Sequence, residues 1–141
     1  MEERDVDRVV PLYIGYYNAC ENAEWTEKTA RTRIHEVWSR ESALCLILED
    51  GGEPAGFVMG YFRQYDDLVS YDLDEILVAR AYQGKGVGTC FFGLIEREIR
   101  AQGAAMIQLL AVNDAMHDHF YGKLGFKNCS NLVLKSKWLT D

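Results

Sequence analysis

Apolar runs of about twenty residues, the length a membrane-spanning helix needs, are missing from this 141-residue chain. A cleavable leader is missing too: Met1-Glu2-Glu3-Arg4-Asp5 is charged and leads straight into amphipathic sequence. Both absences set the expectation of a cytoplasmic protein with no membrane partner. Basic residues are in deficit, with a formal net charge of −7. That argues against broad nucleic-acid binding, because neutralising phosphates takes clustered Lys and Arg. A small anion held locally by amides and a few lysines stays open. Cys20, Cys45, Cys90 and Cys129 form no C-x-x-C pair, which argues against a metal site or a disulfide framework built on them. Proline is confined to Pro11 and Pro54, and no repeat or low-complexity linker divides the chain. Hydrophobic residues, by contrast, make up 48%, enough for a single domain over 1–141 with a sizeable core.

The apolar pattern predicts a helix over about 6–18, carried by Val6, Val9, Val10, Tyr13 and Ile14, with Asp5 as its cap. Thr26 is an N-cap candidate for a second helix reaching about Arg40. Strands follow over Ala43–Leu48, Ala55–Tyr65 and Leu68–Val78, read as an antiparallel meander whose first turn is Glu49-Asp50-Gly51-Gly52. A helix over about 87–100 sets Val87, Cys90, Phe91, Leu94, Ile95 and Ile99 on one face. The nearly continuous apolar run Ala105–Val112 reads as a strand covered on both sides. A short helix bearing Met116, Phe120 and Leu124 comes next, and Phe126–Asn128 and Leu132–Leu139 read as closing strands. This order describes a mixed α+β sandwich. Leu132–Leu139 is also an edge that a second copy of the chain can use, which makes a homodimer one expected assembly.

The most informative stretch is Gln83-Gly84-Lys85-Gly86-Val87-Gly88-Thr89, set between a strand end and a helix start. Glycines there let backbone amides converge, and the helix dipole adds partial positive charge. Such a turn is an anion cradle, suited above all to a pyrophosphate. Two familiar phosphate motifs fail on spacing: no P-loop run exists, and a dinucleotide fingerprint needs glycine where Thr89 stands. A plain glycine turn with no ligand stays open on the loop alone.

Gln83-Gly84-Lys85-Gly86-Val87-Gly88 resembles the Q/R-x-x-G-x-G/A signature of the GNAT superfamily of N-acetyltransferases. Phe120-Tyr121-Gly122-Lys123-Leu124-Gly125-Phe126 is similar to that superfamily's F-Y-x-K-x-G-F segment, and the two lie in the expected order. The resemblance covers about positions 42–139 well and the first 40 residues more loosely. It implies a mostly antiparallel central sheet with helices on both faces and acetyl-CoA in an opening between the fourth and fifth strands. The usual first strand is shortened or missing here. By resemblance the backbone of Leu77, Val78 and Ala79 meets the pantetheine arm, and Gln83 with the amides of Gly84, Lys85, Gly86, Val87, Gly88 and Thr89 holds the pyrophosphate. Many members place an asparagine seven positions before the motif tyrosine. Position 114 is Asp, so Asn113, eight before Tyr121, is the candidate for that contact.

The implied activity is transfer of an acetyl group from acetyl-CoA, without a metal, to a primary amine of a small molecule or peptide. A lysine-like amine with pKa about 10.4 is neutral about once in 2,500 molecules at pH 7, and selecting that form costs about 4.6 kcal/mol. A base or a water relay is therefore useful. Asp74 and Glu75 are equal candidates, with Asp72 behind them; strand alternation sets Asp74 and Glu75 on opposite faces, so one of them enters the cleft. Tyr121 matches the position of the general acid for the leaving sulfur, and a backbone N–H near Val78 is the oxyanion donor. His117 lies one turn before Tyr121 and is a further pocket candidate. The acidic residues Asp66, Asp67, Asp72, Asp74 and Glu75 mildly favour a cationic acceptor such as a polyamine or an aminoglycoside-like compound. The alternative is a non-catalytic acyl-CoA-binding module of the same fold, kept open by the lack of a secure base.

Overall fold

The computed structural model describes residues 1–140. The chain divides into two compact units, Met1–Leu110 and the remainder from Ala111. The first begins with α1 (Glu3–Cys20) and α2 (Glu27–Trp38), followed by β1 (Ala43–Asp50), β2 (Glu53–Gln64) and β3 (Val69–Val78). A short 3₁₀ turn, Arg80–Tyr82, leads to α3 (Val87–Ala101) and β4 (Met106–Gln108). No strand precedes α1 among the described residues, as the resemblance to a fold lacking its first strand implies. Asp5 sits inside α1, where its carboxylate accepts the Glu2 N–H at 2.7 Å, rather than at the cap itself. Thr26 caps α2 as expected, accepting from Thr29 N at 3.1 Å.

The sheet runs β1-β2-β3-β4, antiparallel except for the parallel β3–β4 pair. Alternation along β2 separates its two faces. Phe57 and Met59 join Cys45, Leu77, Val6, Val9, Tyr13, Ile34 and Val37 in the core beneath α1 and α2. On the other face the Phe91 ring of α3 lies against Gly56. Helices thus cover both sides. The buried stripe of α3 is Phe91, Phe92, Ile95 and Ile99, whereas Cys90 is exposed and Leu94 is 52% exposed. The expected face is rotated by one position, because two adjacent phenylalanines carry the contact. Burial raises the Cys45 thiol to about 11, consistent with a small apolar filler.

One irregularity interrupts the β2–β3 ladder. Met59 pairs with Glu75 and Gly60 with Leu73, so Asp74 is the extra residue of a β-bulge. Gly60 makes the bulge possible: a Cβ there would lie 2.4 Å from the Asp72 carbonyl oxygen and 2.6 Å from the Tyr71 ring. Beside the bulge, β4 pairs with β3 only through Ser70, Tyr71 and Asp72. The strand expected over Ala105–Val112 is therefore three residues long, and Leu110 is 79% exposed. Ladder pairing stops where β3 bends.

The second unit contains α4 (Ala115–Lys123). Asp114 caps it, accepting from His117 N at 2.8 Å. The closing strands expected at Phe126–Asn128 and Leu132–Leu139 do not form. Leu132, Val133, Leu134, Trp138 and Leu139 are exposed instead. An alternating apolar pattern supplies strand propensity, but a strand also needs a ladder partner, and none pairs with this segment among the described residues.

Candidate active site

At the end of β3, Ala79 N donates to Ala55 O at 2.8 Å, closing the ladder with β2. The Gln83 side-chain amide turns back and donates to the Val78 carbonyl at 3.0 Å. Gly84 and Gly86 then take φ of 75° and 76°, the left-handed region where a side chain is strained. A Cβ on either would meet nothing within 4 Å, so conformation rather than crowding within the protein demands glycine there. Gly86 is the N-cap of α3, and no side chain caps the helix or places an acid in its first turn. The first helical ladder bond runs from Cys90 N to Gly86 O. The amides at the start of α3 thus have no side-chain cap and the positive end of the dipole behind them.

Upstream, the edge of β3 that faces β4 has no strand partner from Leu73 to Val78 among the described residues. Leu77, Val78 and Ala79 are on this splayed segment, next to the glycine turn.

Asp74 and Glu75 differ from the expectation that alternation would part them. The bulge lets both reach Arg33 of α2, whose guanidinium nitrogen lies 3.4 Å from Asp74 Oδ1 and 3.6 Å from Glu75 Oε1. The Tyr17 hydroxyl of α1 donates to Glu75 Oε2. Burial pushes the Glu75 carboxyl above its ordinary value, while the Tyr17 hydroxyl and Arg33 pull it back. Tyr17 and Tyr13 are themselves pushed up by burial and then by the Glu75 charge, which keeps both phenols neutral. Asp72 is committed elsewhere, to Arg63 Nε at 2.6 Å and Ser70 Oγ at 3.2 Å.

Arg33 escaped sequence reading. Its signal was present: it sits beside Ala30, Ile34 and Val37, the buried stripe of α2, where a guanidinium must find a partner.

In the second unit, Tyr121 is half-buried, its ring 5.1 Å from that of Phe120 and 5.6 Å from that of Phe126. Asn113 is exposed, immediately before the cap. Asp114 is occupied by the helix: its carboxylate also meets His117 Nδ1 at 2.7 Å. The His117 amide and imidazole hold that carboxyl below its ordinary value. The first unit therefore brings together Asp74, Glu75, the splayed edge and the glycine turn, while Tyr121 and Asn113 belong to the second.

Among the described residues, no group of three or more His, Cys, Asp or Glu is arranged to hold a metal, and no helix is long and apolar enough to cross a membrane.

Residues 8–126 match the model of the Acetyltransferase (GNAT) family. The chain belongs to the GNAT family. No curated protein matches it, but solved structures do. A possible acetyltransferase from Clostridium difficile 630 superposes with a TM-score of 0.83 at 12% identity, covering 99% of this chain and 95% of that one. The aminoglycoside N-acetyltransferase AAC(6')-Iy, solved in complex with CoA, gives 0.74 at 14%, covering 97% and 91%. Ribosomal-protein-alanine N-acetyltransferase from Brucella melitensis biovar Abortus 2308 gives 0.73 at 16%, covering 98% and 96%. At these identities the likeness is one of fold. The GNAT family uses acetyl-CoA.

Proposed function

We propose that this GNAT protein is an N-acetyltransferase, a single catalytic domain over 1–141 that moves an acetyl group from acetyl-CoA to a primary amine of a small molecule or peptide. The observation that carries this reading is the succession, along β3 and into α3, of a tethered, half-buried carboxylate and a glycine turn at an uncapped helix start. The cradle fits a pyrophosphate: left-handed Gly84 and Gly86 have free space above them and an uncapped helix start behind. Lys85 adds local charge, and the end of β3 around Leu77, Val78 and Ala79, which pairs with β2 on one edge and with no strand on the other among the described residues, offers that second edge to an amide-bearing pantetheine arm. By resemblance Asn113 is the candidate for a further polar contact to the cofactor.

Bound acetyl-CoA supplies the activated acyl thioester. Glu75 takes the proton from the incoming ammonium, directly or through water, a role that its raised pKa favours. Asp74 stands beside it on the same arginine and shares the negative field. The Val78 N–H stabilises the oxyanion as the amine nitrogen bonds to the acyl carbon. By resemblance Tyr121 is the residue assigned to the departing sulfur. An ordinary phenol with pKa about 10 giving its proton to a thiolate of about 8.5 is uphill by roughly 2 kcal/mol, so Tyr121 serves chiefly as a hydrogen-bond donor to the thiolate.

Two measurements test this. Calorimetric titration with acetyl-CoA should show saturable binding, and release of free thiol should depend on added amine. Binding without amine-dependent release across a broad panel would favour the non-catalytic module. That second reading draws on one observation, that Tyr17 and Arg33 approach both oxygens of Glu75.

A further inference from the structure

The stretch from Asp66 to Glu75 holds five carboxylates, a composition that invites a polycationic acceptor. The fold changes that sum. Asp72 is neutralised by Arg63 at 2.6 Å. Asp74 and Glu75, the two carboxylates brought to one side by the bulge, share Arg33 at 3.4 and 3.6 Å. The Arg33 guanidinium stands where the second positive charge of a polyamine would otherwise be drawn. Its other carboxylate neighbour, Glu36 at 3.8 Å, is 61% exposed and weakened by solvent. Arg33 itself is only 25% exposed, so it is a fixed part of the wall rather than a surface charge.

Next to this junction α1 presents aromatic rings. Tyr13 and Tyr17 have centroids 4.7 Å apart, Tyr16 and Tyr17 4.9 Å, and Tyr13 and Trp25 5.2 Å. Tyr17, half-buried and bonded to Glu75, belongs to this ring cluster, so aromatic carbon adjoins the carboxylate. Two carboxylates on one arginine leave one negative charge over at the junction, with the exposed Glu21 adding a field that solvent screens, and that charge beside an aromatic cluster suits one ammonium on an apolar body.

Building on the acetyl-transfer reading, we propose that Arg33 sets the charge specificity of the acceptor site and selects a primary monoamine with an apolar body over a polycation. The arginine repels a second ammonium and leaves a single unit of net negative charge for the first. Removing it leaves Asp74 and Glu75 both uncompensated, and a polyamine gains what a monoamine cannot use.

The test compares 2-phenylethylamine with spermidine in the full chain. Wild-type kcat/KM should favour 2-phenylethylamine by about tenfold or more. Arg33→Met should cut that ratio by at least about tenfold, Arg33→Lys should preserve most of it, and Asp74→Asn should increase it. The Asp74 variant also keeps the test alive if Arg33→Met does not fold. A wild-type preference for spermidine, or a ratio unmoved by both Arg33→Met and Asp74→Asn, would overturn the proposal. Amine affinities measured by calorimetry carry the same ratio. Absent thiol release alongside the expected affinity ratios would therefore sink the acetyl-transfer reading and spare the specificity of the site.

Discussion

The carboxylate junction on β3 and the glycine turn beyond the end of that strand are near neighbours in sequence, yet they are held by opposite means. The turn is local. Two left-handed glycines, a returning Gln83 amide and the start of α3 form it from consecutive residues. The junction is assembled from afar, with Tyr17 contributed by α1, Arg33 by α2 and Glu75 by a bulged β3. Local geometry suits a ligand part that every family member shares, whereas a junction of three elements can vary with the acceptor. In the proposed reading, binding of the common co-substrate falls to the turn and choice of the amine to the junction.

Variants sharpen this comparison if each side fails in its own way. Glu75→Gln should have the largest effect, lowering kcat by about 10²- to 10⁴-fold while acetyl-CoA affinity, read by calorimetry, stays within about twofold. An equal loss of both would erase the division. Gly60→Ala attacks the bulge that presents the junction. The close contacts of its Cβ should cost about 1–3 kcal/mol in denaturant unfolding, since the nearest atom is backbone that cannot step aside. Gly86→Val attacks the turn: a β-branched residue at φ 76° is strained, and acetyl-CoA affinity should fall about tenfold with less change in the rate at saturation. A variant that binds normally but turns over slowly would place the turn in catalysis instead.

The subtlest effect is on pH. The base role proposed for Glu75 requires its ionised form, and Tyr17 donates a hydrogen bond that favours that form. Removing the hydroxyl leaves burial less opposed and raises the Glu75 pKa further. Tyr17→Phe should therefore move the acid limb of kcat/KM to higher pH. The loss should be about tenfold at the acid end, the worth of one charge-assisted hydrogen bond, and vanish on the alkaline plateau. A uniform loss at all pH values would mean that Tyr17 acts otherwise than through Glu75.

Much of the fold was readable from local pattern: both N-terminal helices, the Thr26 cap, the three-strand meander and the glycine turn all arise from nearby residues. The C-terminal segment was not. Leu132–Leu139 has the alternation of a strand, but pairing depends on a partner distant in sequence. The rotated stripe of α3 shows a smaller failure of the same kind. Periodicity names a face to within one position, and the shape of the sheet chooses between Leu94 and Phe92. For the site, alternation along β3 parts Asp74 from Glu75, and only the bulge reunites them. Arg33 has a local signal in its place on the buried stripe of α2, but its partners lie 41 and 42 positions away, so spacing does not name them.

The sequence by itself determined the family, the order of elements from α1 to α4 and the glycine turn, because these rest on spacing along the chain and on backbone conformations that only glycine adopts easily. The tertiary structure decided how the acidic stretch is used. It bent β3 at Asp74 against Gly60, turned two carboxylates toward one arginine and ended the β4 ladder beside them. The physical reason is that charge compensation acts through space. A run of carboxylates carries one meaning in solution and another once Arg33 and Arg63 are folded against it.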